Sequence, residues 1–186
     1  MNNLSSIPLF ERTFYYLRHG ETESNRLKTI AGSLDVELNE TGRAQARAAV
    51  EQVRPLGVTH VTSSALRRAR DTAAVIAKAL GLPHVVVPDL AERGWGDLEG
   101  KPQALRAAGV KANGSESREQ FIARTRAGLA KVEAVGMPLV VAHSGTFRVL
   151  CRLLELAEPG EAIANCRPVR FTPPARPEAA WMLEIL

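Results

Sequence analysis

FYYLRHGET, running from Phe14 to Thr22, is where the reading of this chain begins. Phe14–Arg18 is a short aromatic and apolar run suited to a buried strand, and His19-Gly20 breaks it. PLVVAHSGT, from Pro138 to Thr146, repeats the arrangement: an apolar strand, a histidine, then a glycine-containing turn. Helical spacing through Val149, Leu150, Leu153 and Leu154 follows it.

The segments between continue the alternation. Asn39 to Leu56 carries Ala44, Ala48, Val50 and Val53 at helical spacing, closed by Pro55 and Gly57. His60–Thr62 reads as a second strand, Ala65–Leu80 as a helix ended by Gly81 and Pro83, and Val85–Val87 as a third strand. Glu92 to Gly114 is glycine-rich and irregular, and Ser117–Val135 is helical again. Val169–Thr172 and Trp181–Leu186 flank PPARPE as an edge hairpin. Alternating strands and helices predict an α/β fold: three layers, α/β/α, around a mainly parallel sheet. At 186 residues, with no repeat or low-complexity linker, residues 1–186 are expected to form one domain.

Composition removes several function classes. With 45% hydrophobic and 24% charged residues, the chain has enough apolar surface to fold. No apolar run approaches the ~20 residues of a membrane span. The opening MNNLSSIPLFERTF lacks a basic leader before an apolar core, so a cytoplasmic location is expected. The net charge of +4 comes without a basic block or a nucleic-acid reading motif, so no nucleic-acid partner is expected. Cys151 and Cys166 form no CxxC pair and read as thiols on small, partly buried apolar side chains. The four histidines, His19, His60, His84 and His143, show no short ligand spacing, so no metal site and no cofactor are expected.

In an open parallel sheet, ligands bind beyond the carboxyl ends of the strands. Three such ends carry unusual chemistry here. The first is Arg18-His19-Gly20-Glu21-Thr22; the second is Ser63-Ser64, with Arg67, Arg68 and Arg70 close behind; the third is His143-Ser144-Gly145. Helix N-termini near Ala65 and Ser144 are expected to add backbone N–H donors. One histidine at a strand end is usually structural; two beside arginines suit a phosphoryl group. Arginine grips phosphate oxygens bidentately, and a neutral imidazole attacks phosphorus.

These residues resemble the histidine phosphatase superfamily, also called phosphoglycerate mutase-like. LRHGET at Leu17–Thr22 matches its opening signature, and Asn25 stands at its phosphate-contacting asparagine. AGSLDVELNETGRAQA, SSALRRARDTA, LAERGWGDLEGK and VAHSGTFRVL follow in the family's order, nearly spanning the chain. The resemblance implies a metal-independent phosphatase acting on a phosphomonoester. His19 would become phosphohistidine; Arg18, Arg68 and His143 would hold phosphoryl oxygens. Asn25, Thr22, Gly32 and the Ser144 backbone would complete the substrate contacts, and Glu92 would be the proton donor and then the base. Sugar phosphates, phosphorylated cofactor precursors and phosphoproteins are all candidate substrates.

Other readings are weaker. Phosphoglycerate mutase-type transfer requires excluding water, and the segment from Gly100 to Glu116 is too short for the mutases' covering insert. A serine hydrolase using Ser144 needs G-x-S-x-G, but positions 142 and 146 are Ala and Thr. A silent binding module would not need all five catalytic positions filled. Glu99, Trp95, Arg148, His60 and His84 read as structural, and Arg67 and Arg70 as solvated. Ser144 stands where the family commonly has glycine, and Ala31-Gly32 where it often has Gln-Gly.

Overall fold

A computed structural model describes residues 7–157, 162–176 and 179–186. The first six residues of the opening stretch and the last two of PPARPE lie outside the described residues. In chain order the strands and helices are β1 (Phe14–Arg18), α1 (Glu23–Arg26), α2 (Glu40–Val53), β2 (His60–Ser63), α3 (Arg67–Leu80) and β3 (His84–Val86). They continue with α4 (Gln103–Ala107), α5 (Arg118–Ala130), β4 (Pro138–Ala142), α6 (Ser144–Leu153), β5 (Pro168–Thr172) and β6 (Met182–Ile185).

The strands form one six-stranded sheet in the order β3-β2-β4-β1-β5-β6. β3, β2, β4 and β1 are parallel, while β5 and β6 add antiparallel at one edge. Strand alternation sorts the core into two layers. Phe14 and Tyr16 of β1 and Val140 of β4 pack on one face with Leu129 of α5 and Phe147 and Leu150 of α6. Tyr15, Leu17, Leu139 and Val141 face the other side, against Ala46 and Val53 of α2 and Ala69, Ala73 and Ile76 of α3. Each fully buried apolar side chain of this kind stabilises the fold by about 1.5–3 kcal/mol. The expected three-layer arrangement is the observed one.

Boundaries differ from expectation for identifiable reasons. α3 begins at Arg67 rather than Ala65, because the Ser64 hydroxyl accepts the Leu66 N–H at 3.2 Å and Asp35 accepts the Arg67 N–H at 2.6 Å. Its first turn is therefore closed by Asp35. α5 stops at Ala130, where Lys131 and Val132 donate to Gly128 and Leu129 in tighter three-residue turns. β3 begins at His84, paired with Val61, one residue before the expected start. Two short helices, α1 and α4, occupy stretches whose sequence shows no apolar periodicity. α1 exists because Thr22 and Asn25 form a reciprocal capping box.

Candidate active site

Strand register brings the two histidines together. Arg18 of β1 pairs with Ala142 of β4, so His19 and His143 are the next residues off adjacent parallel strands. The His19 N–H donates to the Ala142 carbonyl at 3.0 Å, and the two imidazole rings lie 5.2 Å apart. Ser64 leaves β2 on the far side of β4 and donates its N–H to Val141.

The tautomer of His19 follows from its neighbours. Nδ1 lies 2.7 Å from the Gly20 carbonyl, which can only accept, so Nδ1 carries the proton and Nε2 holds a lone pair. Arg68 Nε donates toward that lone pair at 3.3 Å. Burial, followed by the charges of Arg68 and Arg18, lowers the His19 pKa well below the usual imidazole value of 6.5. The ring is neutral at neutral pH.

Arg68 is 1% exposed, and burial lowers its pKa to about 10, which leaves it charged at neutral pH. Its Nη1 and Nη2 donate to the Leu34 and Gly32 carbonyls, both at 2.8 Å. It therefore holds the 32–34 turn beside His19. Arg18 Nη1 donates to Ile163 at 2.8 Å, while its buried Nε has no partner among the described residues.

The His143 Nε2 lies 2.9 Å from the Ser64 hydroxyl, which already accepts the Leu66 N–H. The other ring nitrogen, Nδ1, is buried and has no hydrogen-bond partner among the described residues. Burial, then the Arg68 and His19 charges, lowers its pKa well below 6.5. Tyr16 anchors the backbone behind the ring, its hydroxyl donating to the His143 carbonyl at 2.7 Å.

Glu92 reaches the same place from the long irregular loop. Its Oε1 accepts the Arg93 N–H at 2.8 Å and its Oε2 the Gly145 N–H, in the first turn of α6, at 2.9 Å. A Cβ on residue 145 would fall 2.0 Å from Oε1, so the carboxylate holds this position only beside a glycine. Glu99 sits apart and fastens two loops, accepting Ser33 N–H and Oγ–H and the Trp95 N–H at 2.7–2.9 Å.

These groups open onto a cavity of about 380 Å³. Arg18, His19, Asn25, Gly32, Arg68, Glu92 and Ser144 line its wall. His143 is fully buried and is not among the residues of the wall, although its ring lies 5.2 Å from that of His19. Thr22, expected at the substrate, is off the wall: it is fully buried and its hydroxyl caps α1. Asn25 gives its Oδ1 to Thr22, which leaves its amide N–H2 as the end available to a ligand.

The profile of the histidine phosphatase superfamily, branch 1, matches residues 14–170. The chain belongs to that superfamily. It is a phosphatase, an enzyme hydrolysing phosphomonoesters. Among similar proteins, "Uncharacterized phosphatase PhoE" of Bacillus subtilis (strain 168) is 35% identical over 149 residues, 77% of each chain. "Probable phosphoglycerate mutase GpmB" of Yersinia pestis (strain Pestoides F) is 44% identical over 88 residues. That match spans 47% of this chain and 41% of the mutase, less than half of either. The structure of mycobacterial glucosyl-3-phosphoglycerate phosphatase with VO3 superimposes with a TM-score of 0.78 at 30% identity, covering 94% of this chain and 98% of that one.

Within this histidine phosphatase, two expectations change. Trp95 and Arg148, read as structural, both line the cavity. The Trp95 ring lies 4.3 Å from the Arg93 guanidinium and 5.2 Å from that of Arg106. Sequence reasoning assigned no role to Ser64, Tyr16 and Gly145, which orient the residues it found. Ser64 was visible as the polar residue directly after a strand, and Gly145 as the residue two beyond a site histidine. The Ser144 hydroxyl has no hydrogen-bond partner among the described residues, so no histidine activates it as a hydrolase nucleophile. Among the described residues, no group of three or more His, Cys, Asp or Glu is placed to hold a metal ion, and no helix is long and apolar enough to cross a membrane.

Proposed function

We propose that the phosphatase works through a phosphohistidine on His19, without a metal, on a small phosphoester or a phosphoprotein. The observation that carries this reading is the fixed tautomer: Nδ1 donates to Gly20 and Nε2 keeps its lone pair beside Arg68, in a cavity facing Glu92. An entering phosphoryl group displaces the Arg68 Nε–H from Nε2. The Nε2 lone pair then attacks phosphorus, and the bond to the leaving oxygen breaks as Glu92, in its acid form, protonates that oxygen. Glu92, now a carboxylate, takes a proton from water; the hydroxide attacks phosphorus and the P–N bond breaks, releasing phosphate.

Arg18 and Arg68 neutralise the charge spreading over the phosphoryl oxygens, with the Asn25 amide and the Ser144 N–H as further donors and the unpartnered Nδ1 of His143 as a further contact once substrate enters. Thr22 is assigned to positioning Asn25. The short stretch around α4 favours hydrolysis over transfer to a second substrate, since it provides little cover against water. Two free, buried cysteines support a reducing, cytoplasmic setting, with residues 1–186 acting as one domain. The test is rapid mixing with labelled substrate in the presence of a chelator. An acid-labile, alkali-stable label on His19 is expected; a label on His143 or Ser144, or activity that needs a divalent ion, overturns the reading.

A further inference from the structure

The cavity wall carries more positive charge than a phosphoryl group can use. Among the described residues, seven arginines line it, against one carboxylate, Glu92. Arg18 and Arg68 already flank the nucleophile, and a phosphomonoester brings a charge of about −2. The surplus lies farther out. Arg148 and Arg152 project from α6 four residues apart, on the cavity side. Neither has an acidic partner or a hydrogen-bond acceptor among the described residues.

The arginines with structural work look different. Arg124 donates to the carbonyls of Asp89, Ala91 and Glu92 and to both carboxylate oxygens of Glu116. Arg26, Arg54, Arg67 and Arg170 are each paired with a carboxylate on the surface. Like charges four residues apart on a helix repel, so Arg148 and Arg152 together favour an anion between them. Arg106, across the cavity from α6 and beside Trp95, adds a third cation. Burial and then the charge of Arg148 lower its pKa, which places those two guanidinium groups within electrostatic reach of each other.

We propose that Arg106, Arg148 and Arg152 form a second anion subsite, and that the true substrate is a phosphomonoester whose leaving group carries its own negative charge. This rests on the phosphatase reading above and names its substrate class. The helix sets the spacing: at 1.5 Å per residue, Arg148 and Arg152 lie about 6 and 12 Å along α6 from Ser144. The distal anion therefore sits one to two helical turns from the phosphoryl group. Phe121 and Ile122 of α5 supply an apolar wall for the carbon skeleton between the two anions.

The experiment compares phosphomonoesters of similar size that differ in the distal group: 3-phosphoglycerate (carboxylate), glycerol 3-phosphate (hydroxyl) and phosphoethanolamine (ammonium), with p-nitrophenyl phosphate as a generic substrate. The expected order of kcat/KM is carboxylate, hydroxyl, ammonium, with about tenfold between the first two, the worth of one charge-assisted contact. Arg148→Met and Arg152→Met are expected to collapse the carboxylate-to-hydroxyl ratio toward one through KM. Arg152→Glu is expected to turn the preference toward the ammonium substrate. Equal use of all three by the wild-type enzyme, or variants that slow all three alike, overturns the subsite while leaving the phosphatase intact. No hydrolysis of p-nitrophenyl phosphate by the wild-type enzyme overturns the phosphatase reading itself.

Discussion

Glu92 and Gly145 meet so closely that the acid's position depends on the absence of a side chain. The Glu92 Oε2 accepts the Gly145 N–H at 2.9 Å, and a Cβ on residue 145 would lie 2.0 Å from Oε1. A carboxylate fixed to the helix that follows the second histidine is thereby aimed into the cavity beside the first.

Gly145→Ala is the direct test of that contact. The clash falls on the far end of a flexible side chain, so the fold is expected to survive with little change in thermal midpoint. The carboxylate must move, and general acid catalysis is worth about 10²–10⁴-fold. Turnover of alkyl phosphates is expected to fall toward that range. Unchanged turnover in a folded variant removes the contact from the mechanism.

Glu92→Gln separates proton transfer from phosphoryl binding. Esters with poor leaving groups are expected to lose about 10²–10⁴-fold, and p-nitrophenyl phosphate much less in its first step. Because the second step also needs the carboxylate, a burst of p-nitrophenolate followed by accumulating phosphoenzyme is expected. Equal losses on every substrate with no burst would transfer attention to another acid. Arg68→Ala, by contrast, is expected to damage good and poor leaving groups alike.

The buried histidines make stability depend on pH in a definite direction. Burial and neighbouring arginines hold the native pKa values of His19 and His143 well below 6.5. The unfolded chain therefore binds more protons below pH 6.5, so stability is full above that value and falls as the pH drops beneath it. Urea midpoints measured from about pH 7.5 to 5.5 are expected to decline, and His143→Gln to flatten the decline. A midpoint that rises on acidification contradicts the assignment. Hydrolysis is expected to persist below pH 6.5, because the His19 lone pair remains free there.

Glu99→Ala probes the turn that supports Arg68. Three donors lose their acceptor, at a cost of about 1–3 kcal/mol for this partly exposed group. The 32–34 turn, whose carbonyls orient Arg68, loosens with it. KM is expected to rise more than kcat falls, read from steady-state kinetics. A drop in kcat alone would instead make Glu99 a participant in the chemistry.

The fold was legible because apolar runs and their breaks carry it: β1, β2, β4 and the helices α2, α3 and α6 lie within a few residues of where periodicity puts them. The two histidines were legible because each follows a strand directly. What periodicity cannot show is orientation around a long loop. Trp95 reads as a packing residue until Arg93 and Arg106 are seen on its ring. Arg148 reads as a helix brace because nothing local distinguishes it from Arg124, whose acceptors come from residues far away in sequence. Thr22 fits a substrate contact in sequence, and only the capping geometry assigns its hydroxyl to Asn25.

The sheet order governs when in its own synthesis this enzyme can act. β4 lies between β2 and β1, which do not pair with each other, so the strands on either side of it are made before the one that joins them. Contacts this distant along the chain form late, since the entropy of closing a long loop must be overcome first. A chain emerging from the ribosome presents His19 long before His143. The pocket proposed as the active site is therefore complete only once the sheet has closed.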